Sequence, residues 1–202
     1  MSSIKLKHSG GNSVIIAAPS SNPASDRTLT LPSNADGTVL TTTNPKTGNI
    51  IQVKQTVKTD TTSTSGTSFI DVITCSITPV SSSNKIICIY KIGMSTNNAG
   101  LSGSARLVRD STAIYVGDSA GSRTQASSHF VADSDGIGHV KIFDLNGTFM
   151  DSPSTTSAIT YRLQYKSDYN GYSVYVGRSL QDTDAAYRAR IPTSLLLMEV
   201  AA

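Results

Sequence analysis

Apolar and polar side chains alternate along much of this chain in short runs that are separated by turn residues. The stretch RTLTLPSNADGTVLTT, residues 27–42, shows the pattern clearly. Leu29 and Leu31 recur with the period of two that places side chains on one face of a strand. A proline ends this strand, and Asp36-Gly37 supplies a turn before the apolar alternation resumes. Two strands this short are marginal alone in water, so the sequence predicts a module that neighbouring chains complete.

The first fifty residues predict four short strands, and Gly10-Gly11-Asn12 and Asp36-Gly37 are the turns within the two pairs. Residues 43–49 are polar, contain Pro and Gly, and are typical of a linker. We therefore expect an N-terminal β-module at 1–48 that serves attachment or oligomerisation, and a second domain at 49–202. The four predicted strands are Ile4–His8, Ser13–Ala17, Arg27–Leu31 and Thr38–Thr42.

The remainder predicts nine or ten further strands joined by turns such as Asp110-Ser111, Asn146-Gly147 and Asn170-Gly171. This spacing favours an antiparallel β-sandwich of jelly-roll-like character. No stretch has a helical period, and residues 179–190 hold one short turn at most. The predicted strands are 51–57, 68–78, 85–94, 104–109, 112–116, 129–132, 139–145, 158–166, 173–177 and 194–200.

Composition favours the same fold class. Serine occurs 31 times and threonine 24 times, whereas glutamate occurs once, at Glu199. Helices favour Glu and Leu, while strands tolerate Thr, Val, Ile and Tyr, so the sequence predicts an all-β protein.

Positive charge is concentrated near the N-terminus. Residues 1–60 contain six basic and three acidic side chains, whereas residues 61–202 contain eleven of each. A basic surface can face an acidic partner or nucleic acid, but these lysines are scattered and no arginine-rich run follows them. A solvated face is the simpler interpretation, and we expect no nucleic-acid partner.

No apolar run approaches the ~18 residues of a membrane span, and no signal peptide is evident. We therefore expect a soluble protein that is made in a cytoplasm and has no membrane partner.

Two cysteines, Cys75 and Cys88, lie in apolar stretches joined by a polar connection. A simple hairpin between these stretches would place Ile77 opposite Ile86 and Cys75 opposite Cys88. A cross-strand disulfide would fit that geometry, but the reducing cytosol disfavours one. Buried free thiols are the expected outcome.

A second hairpin is predicted around Asn170-Gly171. Its core face would carry Tyr161, Leu163, Tyr165 and Val174. Its outer face would place Tyr175 across from Lys166. An aromatic ring beside cations can bind a sugar, contact another subunit, or form plain surface. The candidate residues for a ligand or subunit contact are Tyr169, Tyr172, Tyr175, Lys166 and Arg162.

Patterns that carry catalysis or bind metals are weak. Gly117–Gly121 fits G-x-S-x-G, but no helical pattern follows Ser119, as a hydrolase elbow requires. Asp133, Asp135 and Asp144 have positions 1, 3 and 12 of a calcium loop, but Ile137 fills position 5 and offers no oxygen. A looser Ca²⁺ site using the first two remains an alternative. Histidines and cysteines lack zinc spacing, so we expect no cofactor, no metal and no catalytic residue.

The sequence also resembles a known group of proteins. Residues 27–42, with the preceding SVIIAAPSSNPASD, are similar to an N-terminal module of structural and fibre-like virion proteins of tailed bacteriophages, particularly marine and cyanobacterial phages. Phrases in the remainder resemble β-sandwich heads of similar proteins: IIQVKQTVKTDTTSTSGTSFIDV, SITPVSSSNKI, ARLVRDSTAIYVGDSAGSRT, MDSPSTTSAITYRLQYK and SLLLMEV.

The resemblance implies a non-enzymatic virion protein, made in the host cytoplasm, that forms a homotrimer. Residues 1–48 would attach it to capsid or tail proteins, and the sandwich would face outward as a short fibre or knob that binds a host surface glycan. A capsid decoration or cement protein is the main alternative, and a polysaccharide-degrading β-sandwich enzyme is a remote one. The absence of tryptophan argues mildly against a dedicated sugar platform.

Overall fold

The computed structural model describes residues 3–7, 9–17, 20–21, 45–133 and 141–202. Two compact units are present, Met1–Val39 and Leu40–Ala202. The strands expected at 27–31 and 38–42, and the turn between them, lie outside the described residues. Within the described part every regular element is a strand, and no helix there is long and apolar enough to span a membrane.

The described part of the first unit is an antiparallel hairpin of β1 (Ser3–Lys7) and β2 (Ser13–Ala17). Lys7 opposes Ser13, and Gly11 adopts φ 98° in the connection, a conformation that glycine tolerates best. The predicted strand pair and its turn are therefore confirmed. Leu6 and Ile16 are both exposed on this hairpin.

The second unit is an antiparallel β-sandwich of two sheets, which confirms the predicted fold class. The first sheet contains β3 (Ile50–Lys58), β4 (Thr62–Thr64), β6 (Lys85–Thr96), β10 (Phe143–Asp151), β12 (Val174–Val176) and β13 (Thr193–Val200). Their order is β3-β13-β6-β12-β4, and β10 pairs with β6 as well. The second sheet contains β5 (Ile70–Ile77), β7 (Ser102–Arg109), β8 (Thr112–Ile114), β9 (Ser128–Val131) and β11 (Ile159–Ser167). Its order is β5-β11-β7-β8, with β9 also on β7.

One hydrophobic core fills the space between the sheets. Alternate residues of β6, including Ile86, Cys88 and Tyr90, are buried against alternate residues of β11, including Tyr161 and Leu163. This alternation is the period-two pattern of strands that bury one face. The residues predicted for the core face of the second hairpin, Tyr161, Leu163, Tyr165 and Val174, are all buried.

The predicted hairpin between the two cysteine-containing strands is wrong. β5 pairs with β11 in the second sheet, whereas β6 lies in the first sheet. The connection at 78–84 therefore crosses between the sheets. Cys75 opposes Tyr161, and Cys88 opposes Phe149 and Leu197. Both thiols are nevertheless buried and free, as expected.

The predicted hairpin at Asn170-Gly171 is also wrong in its pairing. A turn is present, and Gly171 adopts φ 81°. However, β12 pairs with β4 and β6 in the first sheet and not with β11. Tyr175 therefore opposes Ser63 and Ser95, and it does not lie across from Lys166.

A third correction concerns Asn146-Gly147, which lies inside β10 and not in a turn. The expected strand at 139–145 accordingly begins later, at Phe143, and continues to Asp151. Gly147 opposes Tyr90, whose ring lies so close that a Cβ on Gly147 would be 2.6 Å from it. The tyrosine ring occupies the space above the glycine, which explains why this residue is accommodated in a strand. A short strand, β4, was not predicted, while the turn at Asp110-Ser111 is confirmed between β7 and β8.

The sandwich has two distinct ends. At one end, which we call the entry end, the amide of Gly48 donates to the carbonyl of Ala201, and the amide of Ala201 donates to the carbonyl of Asn49, both at 2.9 Å. The β6 strand starts there, with Lys85 opposite Val200. It finishes at the other end, which we call the loop end, where Thr96 opposes Val174. Twelve residues of β6 separate the ends by about 36 Å.

Candidate functional site

A polar cavity of about 490 Å³ lies at the loop end of the sandwich. It is formed by the start of β7, by β9, by the turn after β11 and by the segment between β8 and β9. Its volume lies in the usual range for small-ligand sites. The lining residues are Ser102, Arg123, Thr124, His129, Asp168 and Tyr169.

The turn that follows β11 positions the carboxylate at the centre of this cavity. The amide of Asp168 donates to the carbonyl of Ser102 at 3.2 Å. One residue earlier, the hydroxyl of Ser167 donates to the carbonyl of Tyr169 at 2.8 Å. The backbone of Asp168 is thus held by the backbone of Ser102, and the backbone of Tyr169 by the side chain of Ser167.

Asp168 connects four neighbouring side chains. The hydroxyls of Ser102 and Ser104 donate to its carboxylate at 2.8 and 2.9 Å. The ammonium of Lys166 lies 3.1 Å from one carboxylate oxygen, and Nε2 of His129 lies 3.2 Å from the other. The two serines meet the same carboxylate because they are two residues apart on β7 and share a face.

These contacts keep Asp168 ionised. Burial by itself would raise the pKa of the Asp168 carboxyl. The hydroxyls of Ser102 and Ser104 and the ammonium of Lys166 outweigh that effect, and the pKa lies below its ordinary value. The cavity therefore holds a fixed negative charge at neutral pH.

Lys166 is held by three groups in addition to the sheet. Its ammonium donates to Thr124 Oγ1 at 3.1 Å and pairs with Asp168. It also lies 5.5 Å from the centre of the Phe69 ring, within the range of a cation–π interaction. This side chain therefore links β11 to the segment that carries Thr124.

Arg123 has few contacts of its own. Among the described residues, its guanidinium makes one long hydrogen bond, 3.5 Å from Nη1 to the carbonyl of Ala120. The side chain of His129 is 47% exposed, and Tyr169 is 47% exposed as well. The carboxylate of the cavity is thus saturated with donors, whereas Arg123, His129 and Tyr169 face solvent.

The arrangement differs from a Ser-His-Asp triad. In a triad the histidine lies between the serine and the aspartate and accepts the serine proton. Here both serine hydroxyls donate directly to Asp168, and His129 contacts the same carboxylate. The cluster is suited to fixing the shape of a binding surface.

The structure separates the five residues that the sequence singled out. Tyr169 lines the cavity, and Lys166 pairs with Asp168 beside it. Tyr172 is half-exposed in the same turn as Tyr169, and its amide donates to the carbonyl of Tyr169. Tyr175 lies in the first sheet and stacks under the guanidinium of Arg178 at 4.1 Å. Arg162 pairs with Asp71 at 2.7 Å and lies outside the cavity lining.

Sequence reasoning missed most of the cavity. Asp168 directly precedes the predicted Tyr169, but its partners come from segments up to sixty-six residues away. The pair of serines at 102 and 104 had the period of two that predicts a shared face. Nothing in the sequence predicted that Arg123 and His129 would meet there.

The weak chemical motifs have plain structural positions. Gly117–Gly121 lies in a loop between β8 and β9. Asp133 pairs with Lys141 at 2.7 Å, and Asp144 pairs with Lys91 at 2.9 Å. Asp135 lies outside the described residues. In the part of the chain that is described, no three His, Cys, Asp or Glu side chains cluster as metal ligands.

Neither protein-family models nor curated proteins match the chain. Among solved structures, a VP2 subviral particle of infectious bursal disease virus matches at 14% identity and a TM-score of 0.39, over 94% of this chain and 47% of that one. The structure of the Gx strain of the same virus matches at 13% identity and a TM-score of 0.36, over 88% and 42%. The chain spans less than half the length of either. Similarity at this level defines neither the fold nor the function of the chain.

Proposed function

We propose that the chain is a non-enzymatic structural protein of a phage virion, a short fibre or knob. In this proposal residues 1–48 anchor it to capsid or tail proteins, and the sandwich presents its loop end to the surface of the host. The resemblance of its sequence to virion proteins of tailed phages supports the class. The separation of the entry end from the loop end of the sandwich supports the arrangement.

The observation that carries the proposal is the separation of the two ends. Residues 48 and 49 join the sandwich beside Ala201, at the entry end. The polar cavity lies at the loop end, about 36 Å away along β6. A head that is held at its entry end leaves the cavity free to contact a ligand.

We propose further that three copies associate. Both units expose large apolar side chains, and an isolated hairpin such as β1–β2 is marginal in water. Copies of the same chain would cover these side chains and would leave few open strand edges. Light scattering of the purified full chain should give three times the 21.2 kDa of one chain; a monomer at micromolar concentration would contradict the trimer. The exposed side chains include Leu6, Ile15, Ile16, Ile50, Val53 and Val57.

The absence of catalysis is part of the proposal. Glycoside cleavage ordinarily uses two carboxylates that flank the substrate bond, and among the described residues that line the cavity Asp168 is the single carboxylate. An assay of the full chain on bacterial capsule polysaccharides, with Asp168→Asn and Ser119→Ala as variants, tests this. Turnover that either substitution abolishes would favour the polysaccharide-degrading alternative.

The anchoring role is tested by truncation. Removing residues 1–44 preserves the hydrogen bonds of residues 48 and 49 to Ala201, so the sandwich should remain folded. We expect the truncated protein to lose incorporation into virions when it is supplied in place of the full chain. Incorporation at the level of the full chain would show that the sandwich itself attaches. A capsid decoration protein would share the anchor, and electron microscopy would locate it on the shell.

A further inference from the structure

We infer that the loop-end cavity binds a carboxylate-bearing sugar of a host surface glycan, with Arg123 as the group that receives the carboxylate. The inference rests on the proposed role of the loop end as a binding surface. It adds the chemical class of the ligand, which the proposed function leaves open.

The charge of the cavity selects a monoanion. Arg123 lines the cavity, and Lys166 lies beside it, paired with the ionised carboxylate of Asp168, so these three groups together carry one net positive charge. Lys166 is already engaged by Asp168 and Thr124. The surplus charge therefore belongs to Arg123, and a single carboxylate neutralises it.

The geometry of arginine favours the same ligand group. A guanidinium presents a planar fork that binds a carboxylate through two parallel hydrogen bonds. The guanidinium of Arg123 is exposed and makes one long hydrogen bond to a carbonyl among the described residues. Within the part of the chain that the structure describes, its donors are thus available without breaking an ion pair. A dianionic phosphate carries one negative charge more than this cavity neutralises, and the fixed charge of Asp168 would repel it more strongly than a single carboxylate.

The remaining lining residues fit a sugar ring. Tyr169 offers a half-exposed aromatic ring, which provides an apolar surface with a polar edge. Thr124 and His129 add polar groups at the same cavity. A sugar has hydroxyls on its rim and apolar C–H groups on its faces, so the two kinds of surface match its two kinds of group.

The test is a binding measurement on the full chain with defined probes. Saturation-transfer NMR and calorimetry would compare glucuronic acid, N-acetylneuraminic acid, glucose and inorganic phosphate. We expect both acidic sugars to bind more tightly than glucose and phosphate. The relative affinities of the two acidic sugars would show whether the cavity prefers a uronic acid or a nonulosonic acid. Arg123→Gln should lower the affinity for the acidic sugars about tenfold or more, because a charge-assisted bidentate contact is lost.

Arg188→Gln is the matched control. It removes the same charge from a different loop, outside the cavity lining, and we expect unchanged binding. Acidic sugars that bind equally well to the Arg123→Gln variant would overturn the inference. Equal binding of glucose and the acids would also overturn it, while leaving the loop end as a glycan-binding surface. Loss of incorporation into virions is measured separately, so failure of this ligand class is distinguishable from failure of the proposed virion role.

Discussion

Replacement of Glu199 by glutamine tests how the entry end of the sandwich is held together. Glu199 is 0% exposed. Its carboxylate accepts hydrogen bonds from Gln52 Nε2 at 2.6 Å, from Asn84 Nδ2 at 2.6 Å and from the amide of Val80 at 2.7 Å. One side chain on β13 thereby joins β3 to the connection between the two sheets.

The expected cost follows from these three bonds. Hydrogen bonds to a charged group contribute about 1.5–3 kcal/mol each, roughly twice a neutral one. Glutamine keeps one acceptor oxygen, but its amide nitrogen is a donor that faces another donor. The weaker bonds and the unmatched donor should together lower the free energy of unfolding by about 2–3 kcal/mol.

The pH dependence of this loss provides an independent check. Burial would raise the pKa of Glu199, but the hydrogen bonds from Asn84, Gln52 and Val80 outweigh it, and the pKa lies below its ordinary value. A carboxyl with a lowered pKa stabilises the fold above its unfolded pKa of about 4.3, and this stability is lost as the pH falls through the folded value. The gap between wild type and Glu199→Gln should be constant above about pH 5 and should shrink below pH 4.

Urea unfolding followed by far-ultraviolet circular dichroism, repeated from pH 3 to pH 7, measures this gap. Asp118→Asn is a suitable control, because it is the same kind of change at an exposed loop residue and should alter stability by about 0.5 kcal/mol or less. A Glu199→Gln protein as stable as wild type at pH 7 would refute the reasoning. A gap that widens as the pH falls would refute the assigned pKa direction.

Three further predictions concern the core and the cavity. Gly147→Ala should lower the free energy of unfolding in urea by about 1–3 kcal/mol, because its Cβ would meet the Tyr90 ring. Gly117→Ala is the control, because open space surrounds that glycine and stability should not fall. Equal stabilities of the two variants would contradict the packing of Gly147 against Tyr90. Asp168→Asn should lower the thermal midpoint at pH 7, and the difference should shrink as the pH falls below about 4, because the stability from a carboxyl with a lowered pKa is lost as the pH falls through its folded value. The two buried cysteine thiols should resist a thiol reagent until the protein unfolds, and rapid labelling of the native protein would be the opposing result.

The sequence carried enough information to predict which faces of the strands are buried. Period-two alternation predicted the burial of Tyr161, Leu163 and Tyr165, and the structure confirms it. Alternation does not specify which strand lies beside which. The stretches around Cys75 and Cys88 are adjacent in sequence, yet they belong to opposite sheets, where they pair with strands from distant parts of the chain.

Turn chemistry was a reliable guide at Asp110-Ser111 and a poor one at Asn146-Gly147. The latter pair is locally typical of a turn, but the Tyr90 ring of the neighbouring strand fills the space above Gly147. A tertiary contact therefore overrides the local preference. The same limit applies to the cavity: its aromatic residue, Tyr169, was predicted from the sequence, while Asp168 and its partners meet only through strand pairing.

The central claim is that the sandwich is held at its entry end and offers its loop end for binding. Electron cryomicroscopy of the parent virions tests it most directly, at a resolution that orients the sandwich. The account predicts density for the protein on the particle, with Asn49 and Ala201 facing the particle and Tyr169 facing outward. A sandwich whose Tyr169 end is buried against the particle would contradict it, as would virions that contain no copy of the chain.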